Sequence, residues 1–247
     1  MLNGVINVYK EKGYTSHDVV AIVRKTLNIK KVGHTGTLDP DAEGVLPVCI
    51  GQATKLEDYI MAERKSYTAE ITFGAETTTQ DASGDIIKEY EYTFDENRLR
   101  EVIDTFKGEQ TQVPPMYSAI KINGKKLYEI AREGKEIERK ARKITVYDIR
   151  IAEINPPNKA IIEIDCSKGT YIRSLCSDIG NKLGWGAFMS SLTRTASGKF
   201  KLNEAVKLDE LKNAAERVEA EKFIIPPDNV LSGYKRVTVS EKADKYL

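Results

Sequence analysis

Alternation of apolar and polar residues sets the first strands of this chain. Tyr67-Thr68-Ala69-Glu70-Ile71-Thr72-Phe73-Gly74 puts Tyr67, Ala69, Ile71 and Phe73 on one face, the period-two pattern of a half-buried strand. Ile144 to Ile154 alternates in the same way, Pro156-Pro157 breaks it, and Ala160 to Cys166 predicts a further strand. Gly4 to Lys10 reads as an opening strand that ends in Glu11-Lys12-Gly13. Helical spacing appears from Ser16 to about Asn28, with a stripe of Val19, Ile22, Val23 and Leu27 and a capping-box pattern at Thr15-Ser16-His17-Asp18. Thr54 to Ile60 predicts a short helix. Asp95 caps a helix carrying Leu99, Val102, Ile103 and Phe106, with Phe94 as its staple and Gly108 as its stop. Asn123-Gly124 marks a tight turn before a basic helix ending near Gly134. Ser167-Lys168-Gly169-Thr170 turns into a helix with Ile172, Leu175, Cys176, Ile179 and Leu183 on one face. Ser191 to Gly198 is the last strong element, followed by a helical stretch to about Lys222. Strands and helices in irregular order, with no repeat and no low-complexity linker, predict one mixed α/β (α+β) domain.

One stretch fits none of these patterns. Val32-Gly33-His34-Thr35-Gly36-Thr37-Leu38-Asp39-Pro40-Asp41-Ala42-Glu43-Gly44 lies between the first helix and an apolar run, Val45 to Ile50. A loop so dense in glycine and polar residues is entropically costly to order, which a bare connector does not require. Asp39-Pro40 suits a turn or a helix start. The Asp39, Asp41, Glu43 spacing resembles the opening of a calcium loop, but the twelfth position, where a bidentate Glu is needed, is Ile50. The glycines match neither the dinucleotide fingerprint nor the phosphate loop. No serine or cysteine lies in the stretch, so a carboxylate acting as nucleophile or base is the chemistry that remains.

Charge alters the picture through its distribution. Charged residues make up 30% of the chain, yet the net charge is only +1. From Lys121 to Lys143 there are nine Lys/Arg against four Glu, and Lys10, Lys12, Arg24, Lys25, Lys30 and Lys31 form a second basic cluster beside the loop. Acid gathers elsewhere, around Glu89 to Asp104 and Glu216 to Glu221. Such segregation suits a polyanion docking on one face, and equally suits solvated helix faces. Cys49, Cys166 and Cys176 are odd in number without CxxC spacing, as expected of buried thiols in a reduced cytoplasmic protein and not of a zinc site. The longest apolar run, Val19 to Val23, is too short to span a bilayer.

Arg173 falls in the first turn of its predicted helix, where the macrodipole disfavours a cation. A carboxylate is the natural partner for a guanidinium so placed, although a surface arginine with its head in water fits the position too.

The loop signature Gly33-His34-Thr35-Gly36-Thr37-Leu38-Asp39-Pro40 with Glu43-Gly44-Val45-Leu46 closely resembles that of the TruB family of pseudouridine synthases. Gly13-Tyr14-Thr15-Ser16, Ala53-Thr54-Lys55, Lys65-Ser66-Tyr67, Pro114 to Ala119 and Lys168 to Leu175 carry the resemblance further, over roughly Gly4 to Pro227. It departs at Glu11-Lys12-Gly13, where the family usually reads Lys-Pro before the glycine. The resemblance implies a pseudouridine synthase catalytic fold over residues 1–230, with a central mixed, mainly antiparallel sheet flanked by helices and loops. It also implies that residues 231–247 begin a PUA-type RNA-binding domain.

The implied activity is isomerisation of the T-loop uridine of tRNA, at position 55, with that base flipped into a pocket. Asp39 aligns with the family's catalytic aspartate, Tyr67 with its active-site tyrosine and Arg173 with the arginine that pairs with that aspartate. Lys55 and Leu192 match pocket positions, while His34, and with it Thr37, falls at the RNA beside the extruded nucleotide. Lys10, Lys125 and Lys126 are then expected to meet phosphates of the T arm. The chemistry requires no cofactor and no metal, and a monomer acting on tRNA away from membranes is expected. A non-catalytic RNA-folding factor gripping the T arm, and a carboxylate-dependent hydrolase, are the other classes these residues allow.

Overall fold

The structure, a computed structural model, describes residues 2–61, 64–118, 120–122, 124–233 and 235. In chain order the strands are β1 (Gly4–Lys10), β2 (Val32–His34), β3 (Glu43–Ile50), β4 (Lys65–Phe73), β5 (Ala75–Thr77), β6 (Ile86–Glu89), β7 (Gly108–Gln112), β8 (Lys121–Ile122), β9 (Lys125–Lys126), β10 (Arg142–Asn155), β11 (Lys159–Cys166), β12 (Ala187–Ser197), β13 (Phe200–Lys201), β14 (Val206–Lys207) and β15 (Ile224–Ile225). The α-helices are α1 (Ser16–Leu27), α2 (Glu57–Met61), α3 (Glu96–Asp104), α4 (Leu127–Arg132), α5 (Ile172–Leu183), α6 (Leu208–Glu216) and α7 (Pro227–Val230).

Among the described residues one eleven-stranded sheet runs β14-β1-β3-β12-β4-β11-β10-β7, with β2 on β3, β13 on β12 and β15 on β1. Most pairings are antiparallel; β12 on β3 and β14 on β1 are parallel. Because β12 lies between β3 and β4, the late part of the chain stitches the two early halves of the sheet into one unit. Tyr67, Ala69, Ile71 and Phe73 face one core with Leu38, Leu192, α3 and α5, as their alternation predicts. A second core packs α1 and α6 against β1 and β3. Among the described residues no helix is long and apolar enough to cross a membrane.

Three expectations need correction. The loop after α1 opens with a short strand, since Val32–His34 pairs back onto Val48 to Ile50. Gly108 does not merely stop α3 but begins β7. The stretch to Lys222 is no single helix: β13, a 3-10 turn and β14 precede α6, because Phe200 and Val206 bury themselves as strand residues at the sheet margin. Asn123 lies outside the described residues, as do 234 and 236–247 of the stretch 231–247 where a second domain is expected to begin.

Candidate active site

The loop joining β2 to β3 is held by side chains buried beneath it. Leu38 inserts into the core with Tyr67 and Leu192, and its backbone N–H donates to Ser16 Oγ at 2.9 Å. Asp39 O accepts from Ala42 N at 3.1 Å, so Asp39-Pro40 forms a turn and not a helix start. Lys10 corrects the sequence reading outright. Its side chain is fully buried and Nζ donates to three carbonyls, Ala42 at 2.6 Å, Pro40 at 3.1 Å and Glu11 at 3.2 Å. Burial draws its pKa down to about 8, partly offset by Asp39 and Asp41. It is an anchor of the loop, its Nζ turned to backbone carbonyls and away from solvent. A strand-end lysine looks solvated in sequence, and only the loop folding back over β1 covers it.

Arg173 and Asp39 come together as expected. The guanidinium, with its side chain 6% exposed, sits in the first turn of α5 and meets Asp39 Oδ2 at 3.1 Å. The same guanidinium reaches Asp81 Oδ2 at 3.2 Å and the Tyr117 carbonyl at 2.8 Å. Two carboxylates and a carbonyl thus offset a cation at the positive end of a helix. Asp81 is held in turn by Thr79 Oγ1 at 2.6 Å and by Ser83 N at 3.0 Å. It was missed in the sequence because Thr77 to Asp85 reads as a plain polar loop. The available signal was an acid flanked at two residues on each side by hydroxyls, the pattern of a self-bonded turn.

Asp39 keeps one edge open: its side chain is 39% exposed although most of its surroundings are protein. Burial pushes its carboxyl above the ordinary range. Arg173 opposes that shift most, Lys10 also lowers it, and Asp81 and Asp41 raise it. Burial also raises the phenol of Tyr67, so its hydroxyl is neutral. Tyr67 faces Arg194 across β4 and β12, and the guanidinium interacts with its hydroxyl. Leu192, two residues before Arg194 on the same face, is buried in the core that also holds Tyr67 and Leu38. Arg194 too was missed, though its parity with Leu192 marks it as inward-pointing.

His34 is half-buried beside this cluster, its ring 5.7 Å from His17 in an edge-on contact. Burial lowers its pKa to about 4, leaving a neutral ring suited to stacking. Thr37 is exposed on the loop. Lys55 is exposed in the turn after β3, at the far end of that strand from Asp39, so the structure places it on the surface and not with the Asp39 group. Lys125 is exposed and 3.6 Å from Glu133; the side chain of Lys126 lies outside the described residues. Among the described residues no cluster of His, Cys, Asp or Glu has the grouping needed to hold a metal ion.

Comparison with known proteins decides the family. Residues 24–172 match the model of the TruB family pseudouridylate synthase N-terminal domain, and residues 173–232 match that of the tRNA pseudouridylate synthase B C-terminal domain. The chain belongs to the TruB family. Relatives include the tRNA pseudouridine synthase B of Alkaliphilus oremlandii, 52% identical over 246 residues, covering 100% of this chain and 81% of that one. That of Clostridioides difficile is 48% identical over 248 residues, covering 99% and 82%.

Among solved structures, a Cbf5-Nop10-Gar1 complex superposes with a TM-score of 0.73 at 35% identity, covering 92% of this chain and 60% of that chain. An H/ACA RNP bound to a substrate RNA containing 2'-deoxyuridine gives 0.70 at 31%, with coverage of 92% and 60%. The expected pseudouridine synthase fold, with a mixed sheet and flanking helices, is therefore the one observed. The seam between the two TruB family models falls at Arg173, inside α5, so both matched regions contribute to the one site.

Proposed function

We propose that this chain isomerises uridine to pseudouridine in tRNA, acting as a monomer on the T-loop uridine at position 55. The observation that carries the reading is the Asp39–Arg173 pair, which puts a half-open carboxylate on a buried cation beside Tyr67 and Leu192. Relatives about half identical and named for this activity support the same choice.

The chemistry follows from the groups. The N1–C1′ bond breaks, the base turns, and C5 joins C1′; the net proton movement is from C5 to N1. A carboxylate can add to the sugar or the base, or stabilise the electron-poor sugar, and then leave again. It must be ionised to do so, and Arg173 opposes the burial that would otherwise hold a proton on it. The base must leave its stack, which costs a few kcal/mol, and the ring of Tyr67 offers a wall for it. Stacking of this kind is worth about 1–3 kcal/mol per base. In this reading the neutral Tyr67 hydroxyl helps to pass on the C5 proton.

The test is tritium release from a tRNA transcript labelled at uracil C5, comparing wild type with Asp39→Asn. Release by wild type alone, confined to the T-loop uridine, is the expected result. Tight binding without release by either protein would overturn the reading in favour of an RNA-folding factor, and free uracil as product would indicate a hydrolase.

A further inference from the structure

Arg194 is 1% exposed and, with Lys10, heads the fully buried side chains by volume. Among the described residues it has no carboxylate within ion-pair distance; its partners are three backbone carbonyls and the Tyr67 hydroxyl. Nε donates to Val45 O at 2.7 Å, Nη2 to Gly36 O at 3.1 Å and Nη1 to Thr37 O at 3.4 Å. Gly36 and Thr37 precede Asp39, and Val45 follows it, so one rigid fork holds the loop on both sides of the carboxylate. The Arg194 backbone pairs with Gly44 in parallel register. Its side chain shares a face with Tyr67 and interacts with the hydroxyl. A buried cation is harder to accommodate than an aliphatic chain of similar volume, so packing alone does not account for it. A guanidinium presents several donors in a fixed plane, which is what three carbonyls from two segments require.

We propose that Arg194 is a positioning residue of the isomerisation, holding the Asp39 loop and Tyr67 in one fixed relative geometry. The inference rests on the function proposed above. It separates two duties: Arg173 sets the charge of Asp39, while Arg194 sets where that carboxylate stands. Reactions of this kind lose about 10²-fold for misplacements near 1 Å.

The experiment measures single-turnover tritium release, tRNA affinity and the acid limb of the pH–rate profile for wild type, Arg194→Met, Arg194→Lys, Gly36→Ala and Arg173→Lys. Arg194→Met is expected to slow the chemical step by about 10²-fold with affinity within about threefold. Its acid limb should stay in place, because Arg173 still faces Asp39, whereas Arg173→Lys moves that limb. Arg194→Lys keeps the charge but loses the fork and should recover about tenfold of the deficit.

Gly36→Ala keeps the cation and strains a backbone at φ +118°, whose carbonyl the fork holds. It should reproduce the rate loss, with affinity again within about threefold, and it decides the matter if Arg194→Met fails to fold. Rates within threefold of wild type for Arg194→Met or, where that fails to fold, for Gly36→Ala overturn the inference, as does a loss in affinity that matches the loss in rate. Absence of release from wild type would instead overturn the functional reading itself.

Discussion

At the scale of single residues, the site is built around a carboxylate whose burial favours its proton and whose pairing with Arg173 opposes that most. The folded-state pKa of Asp39 lies above that of an unfolded carboxylate, so the folded protein binds its proton more tightly than the unfolded chain does. Above that pKa the ionised group therefore weakens the fold. Below the ordinary carboxylate range both states are protonated and the penalty vanishes. Asp39→Asn should lower the rate of tritium release by at least about 10³-fold while raising Tm slightly at pH 7–8. Thermal unfolding at acid pH should show that gain disappear; a Tm that falls at neutral pH would mean that Asp39 stabilises the fold.

Arg173→Lys tests the other partner. An ammonium cannot reach Asp39, Asp81 and the Tyr117 carbonyl in one plane as the guanidinium does. With its main offset weakened, the pKa of Asp39 should rise further. Activity is lost as pH falls through that pKa, so the acid limb should move toward neutrality. An unmoved limb would show that Arg173 does not control the ionisation of Asp39.

At the scale of elements, the loop between β2 and β3 stays fixed because strand residues on both sides of it are committed to holding it. Gly44 has φ +106°, and a Cβ there would stand 2.3 Å from Arg194 O. Gly44→Ala is expected to cost about 2–3 kcal/mol from strain and contact together, lowering Tm by roughly 5–10 °C for a chain this long. A calorimetric Tm within 2 °C of wild type would contradict that close approach.

The elements themselves were largely legible. β1 spans the expected Gly4–Lys10 and α1 starts at the expected Ser16, because alternation and a capping box are local signals. Arg173 betrayed a partner by standing against its own helix dipole. Asp81, Lys10 and Arg194 were not legible in the same way. Asp81 acts from a loop 92 residues from Arg173, and the fate of Lys10 depends on carbonyls 30 and 32 residues ahead. A lysine at a strand end and an arginine in a strand look solvated until distant backbone closes over them.

At the scale of the whole molecule, the sequence suggested two basic clusters suited to RNA, and the structure removes Lys10 from the one beside the loop. Binding of a polyanion depends on salt through the number of phosphates neutralised, with a slope near 0.9 per contact for duplexes and about 0.7 for single strands. A lysine counts toward that slope only if it reaches the surface. Lys125 does, although Glu133 at 3.6 Å shares it. Lys10 does not, since all three hydrogen bonds of its Nζ are to backbone carbonyls, those of Pro40 and Ala42 in the loop and that of Glu11 next to it in the chain.

Lys125→Gln should therefore weaken tRNA binding and reduce the salt slope by up to about 1, with the single-turnover rate at saturation unchanged. Lys10→Gln should do the reverse: an unchanged slope, a slower chemical step and a less stable protein, because carbonyls of Pro40 and Ala42 lose a charged donor. Affinity measured across salt concentrations, alongside single-turnover rates, separates the two. If Lys10→Gln lowers the slope as Lys125→Gln does, Lys10 reaches the RNA when tRNA binds, and the loop it anchors must open on binding.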